Sequence, residues 1–285
     1  MKLVTWNTQW CKGLDGVVSA ERIVAGAHAM GDFDVLCLQE ISQNYPNLTG
    51  DTPQDQPAEI ERLLPGFQIV FGAAIDEQPV GSARRQRFGN LIASRLPVLQ
   101  IQHFALPSPV GPVPPHPWMP RQCTVCTIQA DWGPVRVMTM HLEYYSEVQR
   151  LAQAQALRQI HQALCDQAHH RPLVAPEEVN TPYQPKPYTT DVILCGDCNF
   201  EPHSEPYEVL TTPEHAHAFH DAWLLAHPDE SHPPTFRLYD DTYGPDAVSC
   251  DFCFLSDSIA PRLRAISVDT TTQVSDHQPV MIELA

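Results

Sequence analysis

Positive charge is scarce in this chain: 17 Lys and Arg stand against 34 Asp and Glu among 285 residues, a formal net charge of −17. Proteins that grip duplex nucleic acid without regard to sequence carry a basic face. The charge balance argues against that class, while nucleic acid as a substrate stays open. The excess acid serves solubility, or it supplies carboxylates that hold a divalent metal. Long apolar runs are also missing; none approaches the roughly 20 residues of a membrane helix, so no membrane span is expected. The opening Met1–Asn7 enters a strand-like pattern at once, without the apolar stretch and cleavage site of a secretory leader, which predicts a cytoplasmic protein. The nine cysteines are odd in number, and Cys37, Cys123, Cys126, Cys195 and Cys253 sit inside apolar runs. Cysteines so placed are small buried hydrophobes and do not form a disulfide framework. The two C-x-x-C pairs, Cys123/Cys126 and Cys195/Cys198, lie in strand interiors, a poor context for zinc or redox chemistry. No stretch identifies a protein partner.

A hydrophobic content of 43% supports a sizeable core, and neither an internal repeat nor a boundary divides the chain. A single domain over residues 1–285 is therefore expected. Residues 2–6 read as a strand closed by Asn7. Helical spacing of Ile23, Val24, Ala27 and Met30 predicts a helix over 19–30 stopped by Gly31. Residues 34–40 read as a buried strand ending in Gln39-Glu40, residues 42–57 as a loop, and 58–64 as a short helix. Strands follow near 67–72 and 88–94, with the basic Arg84-Arg85-Gln86-Arg87 between them as either a solvated turn or a phosphate-facing loop. Seven prolines between 106 and 120 force a stiff loop, a candidate cleft wall. Residues 123–130 and 135–140 form an expected antiparallel pair ending in His141. Ser146-x-x-Gln149 has the spacing of a capping box and opens a helix to about 168, its apolar side carrying Val148, Leu151, Leu157, Ile160 and Leu164. The proline-rich 171–190 is expected on the far side from the cleft. A helix near 204–211 precedes His215, His217 and His220, read as surface residues because no carboxylate or cysteine flanks them to complete a metal set.

The stretch that organises the chain is Cys195-Gly196-Asp197-Cys198-Asn199-Phe200, which follows the apolar Val192-Ile193-Leu194. Residues i and i+2 of an extended segment face one side, so Asp197 and Asn199 are expected to enter one cleft together. An ionised Asp only accepts hydrogen bonds, whereas an Asn donates and accepts, a pairing suited to a phosphate ester with water beside it. The same cleft would take the other polar groups that flank the strands: Asn7, Glu40, His141, Asp251, Asp276 and His277. Hard oxygen ligands suit Mg²⁺, and a His paired with a carboxylate acts as base or stabilises developing charge.

Trp6-Asn7, Gln39-Glu40, His141, Gly196-Asp197-x-Asn199, Asp251 and Ser275-Asp276-His277 stand in the order seen in the endonuclease/exonuclease/phosphatase superfamily, which this chain resembles from residue 5 to 280. That superfamily includes DNase I, apurinic endonucleases, inositol polyphosphate 5-phosphatases and neutral sphingomyelinases. The resemblance implies a DNase I-like four-layer α/β/β/α sandwich with two mainly antiparallel sheets, and a Mg²⁺-dependent phosphoesterase (Mn²⁺ also fits) that attacks a phosphate ester in line with an activated water. It further implies Glu40 as main metal ligand, with Asn7 and Asp276 at or near the metal and Asn7 also close to substrate. Asp197 would orient or deprotonate the water, and Asn199 would hold the phosphate. His277, oriented by Asp251 or Asp276, would bind the scissile phosphate or serve as base; His141 would join it, and Arg121 would contact phosphate. His141 stands where the DNase I branch has a His, so a DNase I-type nuclease is the alternative. A catalytically silent binding scaffold of the same fold is the alternative from another class.

Overall fold

The computed structural model describes residues 1–50, 55–111, 116–171, 175–213 and 217–285; Pro53, Pro112, Pro114, Pro115, Pro172 and His215 lie outside them. In chain order the elements are β1 (Lys2–Asn7), α1 (Ala20–Met30), β2 (Val35–Gln43), α2 (Pro46–Thr49), α3 (Gln56–Leu63), β3 (Gln68–Glu77), β4 (Gln86–Ser94), β5 (Val98–Ala105), β6 (Gln122–Ala130), β7 (Gly133–His141), α4 (Glu147–His169), β8 (Val192–Asp197), α5 (Glu205–Thr211), β9 (Phe219–Asp221), α6 (Ala222–Ala226), β10 (Asp251–Ser256), β11 (Leu263–Val268) and β12 (Val280–Leu284).

Alternation along the strands builds three apolar layers. In β1 and β2, Leu3, Val35 and Cys37 face the second sheet, whereas Val4, Leu36 and Leu38 face α1 and α3 with Ile23, Ala27 and Ile60. In β8 and β10, Ile193, Cys195, Cys253 and Leu255 face the first sheet; Leu194, Phe252 and Phe254 pack with Leu157 of α4 and Tyr207 and Leu210 of α5. The result is an α/β/β/α sandwich. Cys37, Cys126, Cys195 and Cys253 all lie between the sheets, and all nine cysteines are free and buried. Small side chains there let two twisted sheets approach.

The sheets run β11-β12-β1-β2-β4-β3 and β5-β6-β7-β8-β10-β9. Each contains one parallel pair, β1–β2 and β7–β8, and is otherwise antiparallel. That arrangement positions the site. The carboxyl ends of β1 and β2 meet at Asn7↔Gln39, and those of β7 and β8 at His141↔Asp197. Antiparallel β10 begins opposite Asp197 at Asp251, and β12 begins opposite Thr5 at Val280, just after Asp276 and His277. Asn7, His141, Asp197, Asp251, Asp276 and His277 therefore collect at one end of the sandwich. Residues 175–190 feed the opposite end of β8, the far side expected of them.

Three local expectations need correction. Strand β2 does not stop at Glu40: it runs to Gln43, with its pairing to β4 shifted between Leu38 and Ile41. The segment 42–57 is interrupted by α2 and by the start of α3. On α4, Val148 is 43% exposed, while Gln149, Gln153 and His161 are buried with Leu157 and Leu164. Gln153 accepts from the Glu143 amide and donates to the Pro107 carbonyl, so its burial serves polar bracing that apolar spacing does not report. Ser146 caps α4 by accepting from Gln149 N, but Gln149 Oε1 finds no partner, so the box is half made.

Candidate active site

The GDxN turn works differently from an extended strand. Gly196 has φ +133, and a Cβ there would sit 2.1 Å from the Met140 carbonyl oxygen of neighbouring β7; only glycine fits. Asn199 has φ +50, so the backbone has left the extended region. Its amide donates to Asp197 Oδ1 at 2.9 Å and its Nδ2 to the Leu142 carbonyl at 2.9 Å. Asp197 and Asn199 do line one cavity, brought there by a side-chain turn rather than by strand alternation.

Asn7 is the bridge. Its Nδ2 donates to Asp197 Oδ2 at 2.8 Å and to Glu40 Oε1 at 3.2 Å. Glu40 sits at the β2 bulge with φ +61, a left-handed conformation that turns its carboxyl out of the strand repeat. Burial and then the nearby Asp276 push the Glu40 pKa up to about 7, and burial raises that of Asp276 as well. Glu40 and Asp276 are raised despite the neighbouring His277, and their hard oxygens with the Asn7 amide fit a divalent cation such as Mg²⁺ or Mn²⁺.

His277 is oriented by Asp251, not by Asp276: its Nδ1 lies 2.8 Å from Asp251 Oδ2. Burial alone would lower its pKa, but Asp251 and Asp197 outweigh that and bring it to about 10. The ring lies flat against Phe236, with centroids 4.3 Å apart. Its backbone is fixed by Trp6 Nε1 donating to the His277 carbonyl, while Ser275 Oγ accepts from His277 N. Nε2 faces Asp197 at 3.7 Å. His141 Nε2 stands 3.4 Å from Asp197, and its pKa falls to about 3 through burial and then Arg121. Among the described residues, Asp197, Cys250 and His277 form the one group of three His, Cys, Asp or Glu donors within 4.8 Å of one another. They do not suit a metal: burial holds the Cys250 thiol far above its ordinary pKa, and His277 Nδ1 is already engaged.

Arg121 precedes β6 and is 6% exposed. It forms an ion pair with Glu143 at 3.3 Å, while its Nη1 has no partner among the described residues. Sequence reading missed Glu143. Its carboxyl also accepts from Tyr145 N, and Arg150 Nη1 donates to its carbonyl. The only available signal was a charged residue directly after the apolar β7–Leu142 run. Thr235, whose hydroxyl accepts from Cys250 N and Asp251 N, was also missed.

The cavity, about 410 Å³, is lined by Glu40, Arg121, His141, Asp197, Asn199, Asp276 and His277, with an apolar flank described below. Asn7 and Asp251 sit behind these residues, as their hydrogen bonds show. Met119 makes the end of the 106–120 segment a wall of this cavity, whereas Trp118 is exposed. Of the basic stretch, Arg85 and Arg87 pair with Asp76. His217 and His220 are half-buried beside Asp166 and Asp257, and His161 meets Cys165 at 3.6 Å. Acids and a cysteine from α4 and from the end of β10 lie near these histidines without completing, among the described residues, the metal set that the sequence also lacked. Their donor atoms do not converge.

The fold recurs among solved structures. A mannosyl-6-phosphatase of Bacteroides thetaiotaomicron superposes with TM-score 0.67 at 17% identity over 100% of this chain and 99% of that one. A Bacteroides vulgatus endonuclease/exonuclease/phosphatase protein gives 0.65 at 18% over 100% and 98%. A Neisseria 3′ phosphatase bound to a product DNA hairpin gives 0.60 at 18% over 100% and 99%. Comparison with curated protein sequences returns no match. The sequence profile described as Endonuclease/Exonuclease/phosphatase family matches residues 4–277, and with that match the chain belongs to the endonuclease/exonuclease/phosphatase family.

Proposed function

We propose that this protein is a metal-dependent phosphoesterase that hydrolyses a phosphate ester by in-line attack of water. The observation that carries the reading is the convergence, at one end of the sandwich, of a carboxyl set (Glu40, Asp197, Asp276) and a phosphate-handling set (Arg121, His141, Asn199, His277) around one cavity. Glu40 and Asp276 would hold the divalent cation, with Asn7 fixing Glu40. When bound, the cation supplies positive charge to a phosphoryl oxygen.

The chain's own residues account for the rest. Asp197, held from one side by Asn7 and from the other by Asn199 N, keeps a carboxyl oxygen aimed at the cavity to align a water and accept its proton. His277 Nδ1 is held by Asp251 while its Nε2 faces Asp197, so in this reading it donates to the phosphoryl oxygens and Asp197 serves as the base. Neutral His141 and the free Nη1 of Arg121 donate to the same group. Single-domain organisation over residues 1–285 belongs to this reading.

The Neisseria structure holds DNA, and a DNase I-type nuclease stays the second reading on His141. Against it stand the net charge of −17 and the engagement of Arg85 and Arg87 by Asp76. Among the described residues no helix is long and apolar enough to cross a membrane; a cytoplasmic site of action is part of the proposal. The test is hydrolysis of bis-p-nitrophenyl phosphate and p-nitrophenyl phosphate with Mg²⁺ or Mn²⁺, each with and without EDTA. EDTA-sensitive turnover of either ester supports the reading and tells a diesterase from a monoesterase. EDTA-resistant turnover contradicts the metal assignment.

A further inference from the structure

The cavity does not end at the phosphate-handling groups. It continues along a wall made by Trp10, Tyr45, Leu48, Ile75, Phe88 and Met119, none of which carries charge. Tyr45 stands edge-on to Phe88, with centroids 6.4 Å apart and planes at 90°. Trp10 is brought to the wall by an unusual backbone: Gln9, Trp10 and Cys11 have φ of 46°, 46° and 60° in succession. The left-handed region is strained for an L-residue, and three in a row persist only where the surroundings over-determine them. Gln56 Nε2 donating to the Trp10 carbonyl and Lys12 N donating to Gln9 O do so here. The chain thus holds a strained turn that sets an indole beside the catalytic carboxyls.

A cleft built for a polyanion would place cations along this wall. Lys12 Nζ, 5.9 Å from the centroid of the Trp10 ring, is one such cation, but Arg85 and Arg87 are spent on Asp76. Volume and lining suit a phosphoryl group plus one compact apolar group. Resting on the phosphoester reading, we propose that this wall is the subsite for a planar aromatic group, aryl or nucleobase, carried on the phosphate, and that it sets the substrate class of the enzyme. With the phosphoryl group among Arg121, Asn199 and His277, the ring packs against Phe88, Ile75 and Leu48, and Trp10 and Tyr45 offer edges and faces to it.

The test uses two ligand pairs that are not hydrolysed and share one phosphoryl group within each pair. Phenylphosphonate is compared with methylphosphonate, and the phosphonate analogue of a nucleoside 5′-phosphate with that of ribose 5-phosphate. Binding to the full chain is measured by calorimetry in Mg²⁺. The ring-bearing member of at least one pair binds about tenfold tighter or more, and which pair shows the gain tells aryl from nucleobase. Leu48→Asn and Ile75→Asn, uncharged polar changes at half-buried positions, remove that gain, while circular dichroism and thermal unfolding report an intact fold. Equal affinities within both pairs, or variants that weaken both members alike, overturn the subsite while leaving the phosphoester reading in place. Absence of binding by all four ligands overturns both.

Discussion

The buried pair Arg121–Glu143 makes a prediction in which stability and activity separate. The two side chains are 5% and 1% exposed and 3.3 Å apart. Glu143→Gln keeps the shape and an acceptor for Tyr145 N, now 2.9 Å away, and removes only the charge that compensates the guanidinium. Breaking one partner of a buried pair costs about 3–5 kcal/mol, because the other charge stays desolvated. At roughly 2–4 °C per kcal/mol for a chain of this class, the thermal midpoint falls on the order of 10 °C. Replacing both partners with apolar groups of similar volume, Arg121→Met with Glu143→Leu, restores stability to within about 1 kcal/mol of wild type. The double variant stays slow, however, because it lacks the unpartnered Nη1 proposed to meet the phosphoryl group; a lost charged hydrogen bond of about 1.5–3 kcal/mol is roughly 10–100-fold in kcat/KM. Urea and thermal unfolding of the two variants, with initial rates on the same preparations, are the assay. A Glu143→Gln protein within about 0.5 kcal/mol of wild type would refute the reasoning; so would a double variant as unstable as the single one.

Other expectations follow from single features. Gly196→Ala drives a Cβ to 2.1 Å from the Met140 oxygen and destabilises by more than about 3 kcal/mol, whereas Gly16→Ala, at φ +80 in open space, shows only backbone strain; comparing thermal midpoints checks both. Ser146→Ala removes the α4 cap and costs about 1 kcal/mol in urea unfolding. Burial, then His217 and Arg136, push the His161 pKa down to about 3. The unfolded chain therefore binds this proton first: the contribution is complete above about pH 6.5 and is lost as pH falls toward 3, at up to about 1.4 kcal/mol per unit. His161→Gln accordingly flattens the loss of urea stability between pH 6 and 4, and an unchanged slope would count against a neutral buried ring.

What sequence made legible follows from chain connectivity. Asn7, His141 and Asp197 each close an apolar strand, and Asp251 opens one, so their collection at one end needed only the right order of parallel and antiparallel neighbours. The unbroken apolar run Val35–Leu38 likewise read as a buried strand, and its side chains do divide between two apolar layers. The devices that aim the side chains were not legible. The bulge at Glu40 exists because β2 must re-register on β4, and the left-handed turn at Gln9–Cys11 depends on Gln56 far along the chain. Glu143 acquires meaning only from Arg121 on another strand edge. Buried Gln153 and His161 broke the apolar spacing of α4, since polar groups braced by tertiary hydrogen bonds or stacked on an aromatic ring leave no periodic trace.

The central claim is that Asp197 and Glu40 act on a phosphate ester within one site. Initial rates of the wild type, Asp197→Asn and Glu40→Gln across a Mg²⁺ titration, on whichever generic ester is turned over, test it most directly. The account predicts that Asp197→Asn loses at least about 10²-fold in kcat with its Mg²⁺ dependence kept, and that Glu40→Gln shifts the Mg²⁺ requirement to much higher concentration. Undiminished turnover in folded Asp197→Asn, or an unaltered Mg²⁺ curve in Glu40→Gln, would contradict it.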